Sequence, residues 1–135
     1  MVRVLLIDGD RSRAQTLALE CLERGVAVRM AETVCEGVRY LLDAPVSLVM
    51  ADAAVLRMAG PDRLRLFDVV APGVPLVLTV DAGTRMEDLV DFEIQGFHVV
   101  SRPFELEDVV AKIELPATTA PARRGARAHV EAACR

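Results

Sequence analysis

The chain has no tryptophan, one tyrosine and four phenylalanines, so aromatics make up only 4% of its 135 residues. Hydrophobic residues nevertheless reach 53%, enough for one well-buried domain whose core must be built from Val, Leu, Ala and Met. Lysine is nearly missing: Lys112 stands alone, and arginine carries the rest of the positive charge. With 16 basic against 20 acidic residues the net charge is -4, which argues against nucleic-acid binding by the globular part, because phosphate contacts need clustered cations. No apolar run approaches the roughly 18 residues of a membrane span. The opening run meets Asp8 too early to form the core of a signal peptide. Cys21, Cys35 and Cys134 form no CxxC or Cys/His ligand spacing. An odd count in an acidic, α/β-patterned chain reads as reduced thiols in a cytoplasmic protein, with Cys21 and Cys35 packed into the core.

What is present is an alternation. Val4 to Ile7 is a continuous apolar run ending at Asp8-Gly9-Asp10, which suits a strand buried on both faces. Ala14, Leu17, Ala18, Cys21 and Leu22 recur at helical spacing from Ser12 to Arg24, and Gly25 stops that helix. Further strands are expected at 26–30, 46–51, 76–80 and 97–100, and further helices at 32–42, 62–70, 84–95 and 105–114. Gly60-Pro61 leads into the third helix, Thr84 and Glu87 stand at capping-box spacing for the fourth, and Gly96 ends it. Five strand–helix repeats demand right-handed crossovers and a parallel sheet covered on both faces. Residues 1–115 are therefore read as one domain. Residues 116–135, rich in Ala, Pro and Arg, are expected to form a disordered tail, with at most a helical turn from His129 to Cys134.

In an open α/β sheet, ligands bind beyond the carboxyl ends of the strands. Here those ends carry Asp8-Gly9-Asp10, Asp52, Val80-Asp81 and Arg102-Pro103. Carboxylates from several strands would thus meet one arginine at one edge, unless they only form a solvated acidic rim.

Five segments together are similar to the receiver domains of bacterial response regulators, the CheY-like superfamily. Leu5-Leu6-Ile7-Asp8-Gly9-Asp10 resembles the opening acidic cluster and Ser47-Leu48-Val49-Met50-Ala51-Asp52 the phosphoacceptor strand. Met58-Ala59-Gly60 resembles the loop motif that follows, Pro75-Leu76-Val77-Leu78 the fourth strand, and Arg102-Pro103-Phe104 the Lys-Pro-Phe motif. The resemblance spans residues 2 to about 115. It implies a flavodoxin-like, doubly wound five-stranded parallel sheet of order 2-1-3-4-5. It also implies a phosphotransfer switch that is not an enzyme: Asp52 accepts a phosphoryl group from a sensor histidine kinase or histidine phosphotransfer protein, and Mg²⁺ is held by Asp8, Asp10 and Asp52. Output would pass to a downstream protein through the face formed by the fourth helix, fifth strand and fifth helix. Leu89 and Phe92 there offer apolar surface for a partner or homodimer, although Leu89 at that spacing also suits the core. A cytoplasmic, stand-alone receiver with no membrane or nucleic-acid partner is the expectation.

The pattern departs from the family at four places. Gly9 replaces the second acidic residue and should weaken Mg²⁺. The Thr/Ser switch position falls on Val80, counting back from Arg102, and on Thr79 only with a one-residue slip. Asp81, just beyond, is read as a cap for the following loop or as added negative charge in the pocket. Arg102 replaces lysine and could clamp Asp52 bidentately or pair with phosphate, and the bond before Pro103 is a candidate cis peptide. Val99 stands where the family often has an aromatic. These departures keep a second reading open: a pseudo-receiver acting as a phosphorylation-independent interaction module. A small flavodoxin-like nucleotide binder is the remote third, because an acidic loop after strand one would repel phosphate.

Overall fold

The computed structural model describes residues 2–59, 65–112 and 134. Five parallel strands form one sheet: β1 (Arg3–Ile7), β2 (Ala27–Ala31), β3 (Leu48–Asp52), β4 (Leu76–Val80) and β5 (His98–Ser101), in the order β2-β1-β3-β4-β5. The helices are α1 (Arg11–Glu23), α2 (Val34–Asp43), α3 (Ala53–Ala59), α4 (Leu66–Val70), α5 (Met86–Ile94) and α6 (Leu106–Lys112). The doubly wound α/β architecture and its strand order are those expected from the sequence.

Strand parity divides the core and places the site. Leu5, Ile7, Val49, Ala51 and Leu78 face one side of the sheet and pack with Val34, Val38 and Leu41 of α2 and with Leu66, Phe67 and Val70 of α4. Val4, Leu6, Leu48, Met50 and Val77 face the other side, against Ala14 of α1 and Val109 of α6. Side chains alternate along a strand. Asp8 therefore follows Leu6, Asp52 follows Met50 and Thr79 follows Val77, all onto the α1/α6 side at the carboxyl edge.

Several local expectations are corrected. A helix starts immediately after Asp52, at Ala53, in a stretch to which the sequence pattern assigned no element, and it runs through Met58-Ala59, where the loop motif was expected. Residues 53–59 are mostly good helix formers, and burial of Ala53 and Leu56 anchors the turn. The Gly60-Pro61 entry lies outside the described residues. Thr84 does not cap α5: its N-cap is Arg85, without a side-chain hydrogen bond, and the Thr84 amide instead donates to the Asp81 carbonyl in a tight turn. Leu22 is exposed rather than core-facing, together with Leu19. Leu89 and Phe92 are half-buried against Val80 and Val99, and the open apolar stripe of α5 is Met86, Val90 and Ile94, spaced four apart.

The cysteine reading is also overturned. Cys35 on α2 and Cys134 form a disulfide with a Cα–Cα distance of 5.6 Å, leaving only Cys21 free among the described residues. A separation of 99 residues hides such a pair from spacing arguments. The reduced-thiol argument for a cytoplasmic setting falls with it. Apart from Cys134, the predicted tail lies outside the described residues. No described helix is long and apolar enough to cross a membrane.

Gly37 lies in the middle of α2, where an added Cβ would stand 2.6 Å from Cδ1 and 2.9 Å from Cγ1 of the fully buried Ile7. Gly37→Ala gains about 1 kcal/mol of helix propensity but overpacks the helix–sheet contact by about 1–3 kcal/mol. A lower urea midpoint is expected, and a raised midpoint would refute the close approach. Burial holds the Cys21 thiol above its ordinary pKa, in its protonated, unreactive form. A thiol-specific reagent should therefore find no fast thiol in the native chain, one after unfolding, and three after reduction and unfolding. Cys35→Ser should lower stability by about 2–4 kcal/mol, as loss of a long cross-link does.

Candidate functional site

The site is assembled from the ends of four strands. Asp8 follows β1, its amide still hydrogen-bonded to the Ala31 carbonyl of β2 at 2.9 Å. Asp52 ends β3 and pairs in register with Thr79 of β4. Arg102 follows β5, held by its amide on the Val80 carbonyl at 2.8 Å, and the Arg102–Pro103 bond is cis. Asp8, Asp52 and Thr79 are all buried.

Burying carboxylates side by side costs several kcal/mol each unless cations neutralise them. Two arginines do so here. Arg102 Nη2 donates to Asp52 Oδ1 at 2.7 Å and to Thr79 Oγ1 at 2.7 Å, its Nη1 donates to Asp81 Oδ1 at 3.0 Å, and Asp8 Oδ2 lies 3.9 Å from Nη2. The second cation is Arg13, which the sequence reading missed. Its Nε and Nη2 fork across Asp8, reaching Oδ2 and Oδ1 at 2.8 Å each, and Nη2 lies 3.5 Å from Asp52 Oδ1. Hydrogen bonding to Asp8, partly opposed by burial, pushes the Arg13 guanidinium still further above its ordinary pKa, so its charge is permanent. The spacing from Asp10 was the signal available: Asp10 caps α1 by accepting from the Arg13 amide at 3.1 Å, and an arginine three residues past an N-cap lies in the first turn, beside the strand end.

The sequence-predicted residues are thus sorted. Asp8, Asp52, Arg102 and Thr79 converge. Val80 does not: its parity turns it to the opposite side, where it packs with Ala53 and Val99, and Thr79 is the β4 residue whose side chain reaches Arg102 in the pocket. Arg102 does not clamp Asp52 bidentately, because its second nitrogen is taken by Asp81. That contact also replaces the loop-capping role read for the Asp81 side chain.

The acidic set does not fit Mg²⁺. Gly9 offers no side chain, Asp10 is turned into a helix cap, and both Asp8 oxygens are taken by Arg13. Among the described residues no group of three or more His, Cys, Asp or Glu is arranged to hold a metal ion.

No family model matches the sequence. The chain is 31% identical over 115 residues to the transcriptional regulatory protein GlrR of Escherichia coli, covering 82% of this chain and 25% of that protein. It is 24% identical over 110 residues to the transcriptional regulatory protein YkoG of Bacillus subtilis, covering 82% and 48%. The chain therefore spans between a quarter and a half of the length of these curated relatives. Among solved structures, a response-regulator receiver domain protein from Clostridium thermocellum superposes with a TM-score of 0.70 at 18% identity, covering 83% of this chain and 90% of that one. The fold is that of a response-regulator receiver domain. The chemotaxis response regulator CheY4 of Vibrio cholerae matches the same receiver fold with a TM-score of 0.69 at 16% identity, covering 84% of this chain and 99% of that one.

The receiver pocket makes Arg102 the residue whose loss should cost most. Arg102→Ala leaves the buried Asp52 carboxylate and Thr79 hydroxyl without their shared donor, and should destabilise the receiver by roughly 2–4 kcal/mol in urea denaturation. Arg102→Lys should lose less, because one ammonium still reaches Asp52. Arg85→Ala, which removes an exposed pair with Glu87, should leave the midpoint unchanged. Equal effects of Arg102→Ala and Arg85→Ala would refute the buried bridge.

Proposed function

We propose that the chain is a receiver module of two-component signal transduction, with Asp52 as phosphoacceptor and a sensor histidine kinase or histidine phosphotransfer protein as donor. One observation carries this reading. The contacts to Asp52 among the described residues fall on Oδ1, while Oδ2 accepts no hydrogen bond from them. The Asp52 side chain keeps 12% of its surface open to solvent, and Oδ2 is the oxygen that these contacts leave available. It is a nucleophile on a fixed carboxylate. Its attack on the phosphorus of a phosphohistidine forms the O–P bond as the P–N bond breaks, and the imidazole leaves with the bonding pair. Arg102 and Arg13 face the charge that arrives.

A second reading rests on a different observation. Arg102 already joins Asp52 to Thr79 and Asp81 without any phosphoryl group. A pocket locked in this way suits a phosphorylation-independent docking module. In either case the open apolar stripe of α5, close to β5, is the surface proposed for a downstream partner or second copy.

Incubation with acetyl phosphate, followed by intact mass measurement, separates the two. A single phosphoryl adduct that disappears in Asp52→Asn is the expected result. A folded wild type that takes up no phosphoryl group at millimolar donor, from this source or from a phosphohistidine protein, leaves the docking module.

A further inference from the structure

A divalent cation joining Asp8 to Asp52 would have to sit between their facing oxygens. That place is occupied: Arg13 Nη2 stands 2.8 Å from Asp8 Oδ1 and 3.5 Å from Asp52 Oδ1. The occupation is built in. Arg13 lies in the first turn of α1, which Asp10 caps, and the Asp10 amide itself donates to Asp8 Oδ1 at 2.9 Å. The fork onto Asp8 is bidentate, the arrangement in which guanidinium binds carboxylate best. Nor is the missing carboxylate at position 9 dictated by space. A Cβ at Gly9 would meet nothing closer than Val55 Cγ2 at 3.9 Å, and its backbone is not in the left-handed region.

We infer that Arg13 is a tethered cation that takes the place of a divalent metal between Asp8 and Asp52, so that the pocket is neutralised without metal and is closed to it. The inference concerns the pocket of the proposed phosphoacceptor but does not require Asp52 to be phosphorylated, since cation binding alone reads it. Chemically, a point charge able to exchange with solvent is replaced by a delocalised charge that cannot leave. The ion pair of a metal-binding pocket depends on free cation concentration, whereas this one is fixed by the fold.

The test is a Mn²⁺ titration of the full chain, Mn²⁺ serving as the spectroscopic stand-in for Mg²⁺, read by electron paramagnetic resonance and by the cation-induced shift in thermal melting. The wild type is expected to show no saturable site below about 10 mM, a binding free energy weaker than roughly 3 kcal/mol. Its melting should be the same in chelator and in millimolar Mg²⁺. Gly9→Asp alone, with Arg13 in place, should remain closed. Gly9→Asp combined with Arg13→Ala should bind at least about tenfold tighter than the wild type and should melt higher with added cation. Arg13→Gln replaces Arg13→Ala in the pair if the alanine variant does not fold. Saturable wild-type binding below 1 mM would overturn the inference, because Arg13 would then yield to the metal. Equal binding by Gly9→Asp with and without Arg13, or no gain in the double variant, would overturn it as well. The phosphoryl-transfer reading survives any of these outcomes, as it is judged by the mass adduct on Asp52.

Discussion

Two carboxylates, Asp8 and Asp52, end adjacent strands on the same face of the sheet, and both are buried. Everything at this edge of the molecule answers to that constraint. A lone buried carboxylate loses its hydration and would sooner take a proton than stay charged. Two together also repel. A metal ion could meet that demand; here guanidinium groups delivered from opposite sides meet it. Arg13 comes from the start of α1 and Arg102 from the end of β5. The buried pair Asp8 and Asp52 is matched by Arg13 and Arg102, and the exposed Asp81 adds a further carboxylate to Arg102.

The two arginines differ in what they connect. Arg13 bonds to Asp8 and lies near Asp52, so it fastens α1 to the ends of β1 and β3. Arg102 reaches across β3 and β4 and beyond to Asp81. Lysine in the second role would offer one compact ammonium, strongly hydrated and unable to place two nitrogens on separate carboxylates. The near-absence of lysine from the whole sequence thus has a local consequence at position 102.

Much of the fold was legible because its signals are repetitive. Five short apolar runs, each followed by a helical period, can be arranged in few ways, and the strand order came from motifs that fell in sequence at consistent distances. The site was legible to the extent that it lay at strand ends. Asp8, Asp52 and Arg102 were found in this way, and they converge. What escaped depended on relations that a linear reading does not carry. Thr79 and Val80 differ only in parity, and counting residues from Arg102 across a helix and two turns cannot fix parity, whereas the register of Thr79 opposite Asp52 does. Arg13 is one of two arginines at the start of α1, with Arg11, and only the capping geometry of Asp10 singles it out. The Cys35–Cys134 bond joins α2 to a segment with no core pattern, so nothing periodic announced it.

The sharing of one nitrogen has a consequence for how the pocket behaves as a unit. Arg102 Nη2 donates to both Asp52 and Thr79. A guanidinium nitrogen has two hydrogens, so both bonds can be made at once only while the carboxylate and the hydroxyl remain on the two sides of that group. Any event that moves Asp52 Oδ1 or changes its charge must alter the bond to Thr79, because both depend on the same planar group. Any shift of the β4 end alters the position of Arg102 relative to Asp52 in the same way. The coupling is local and reciprocal, as linkage requires. It is also independent of any ligand, so the end of β4 and the Asp52 carboxylate form one mechanical element in the resting chain.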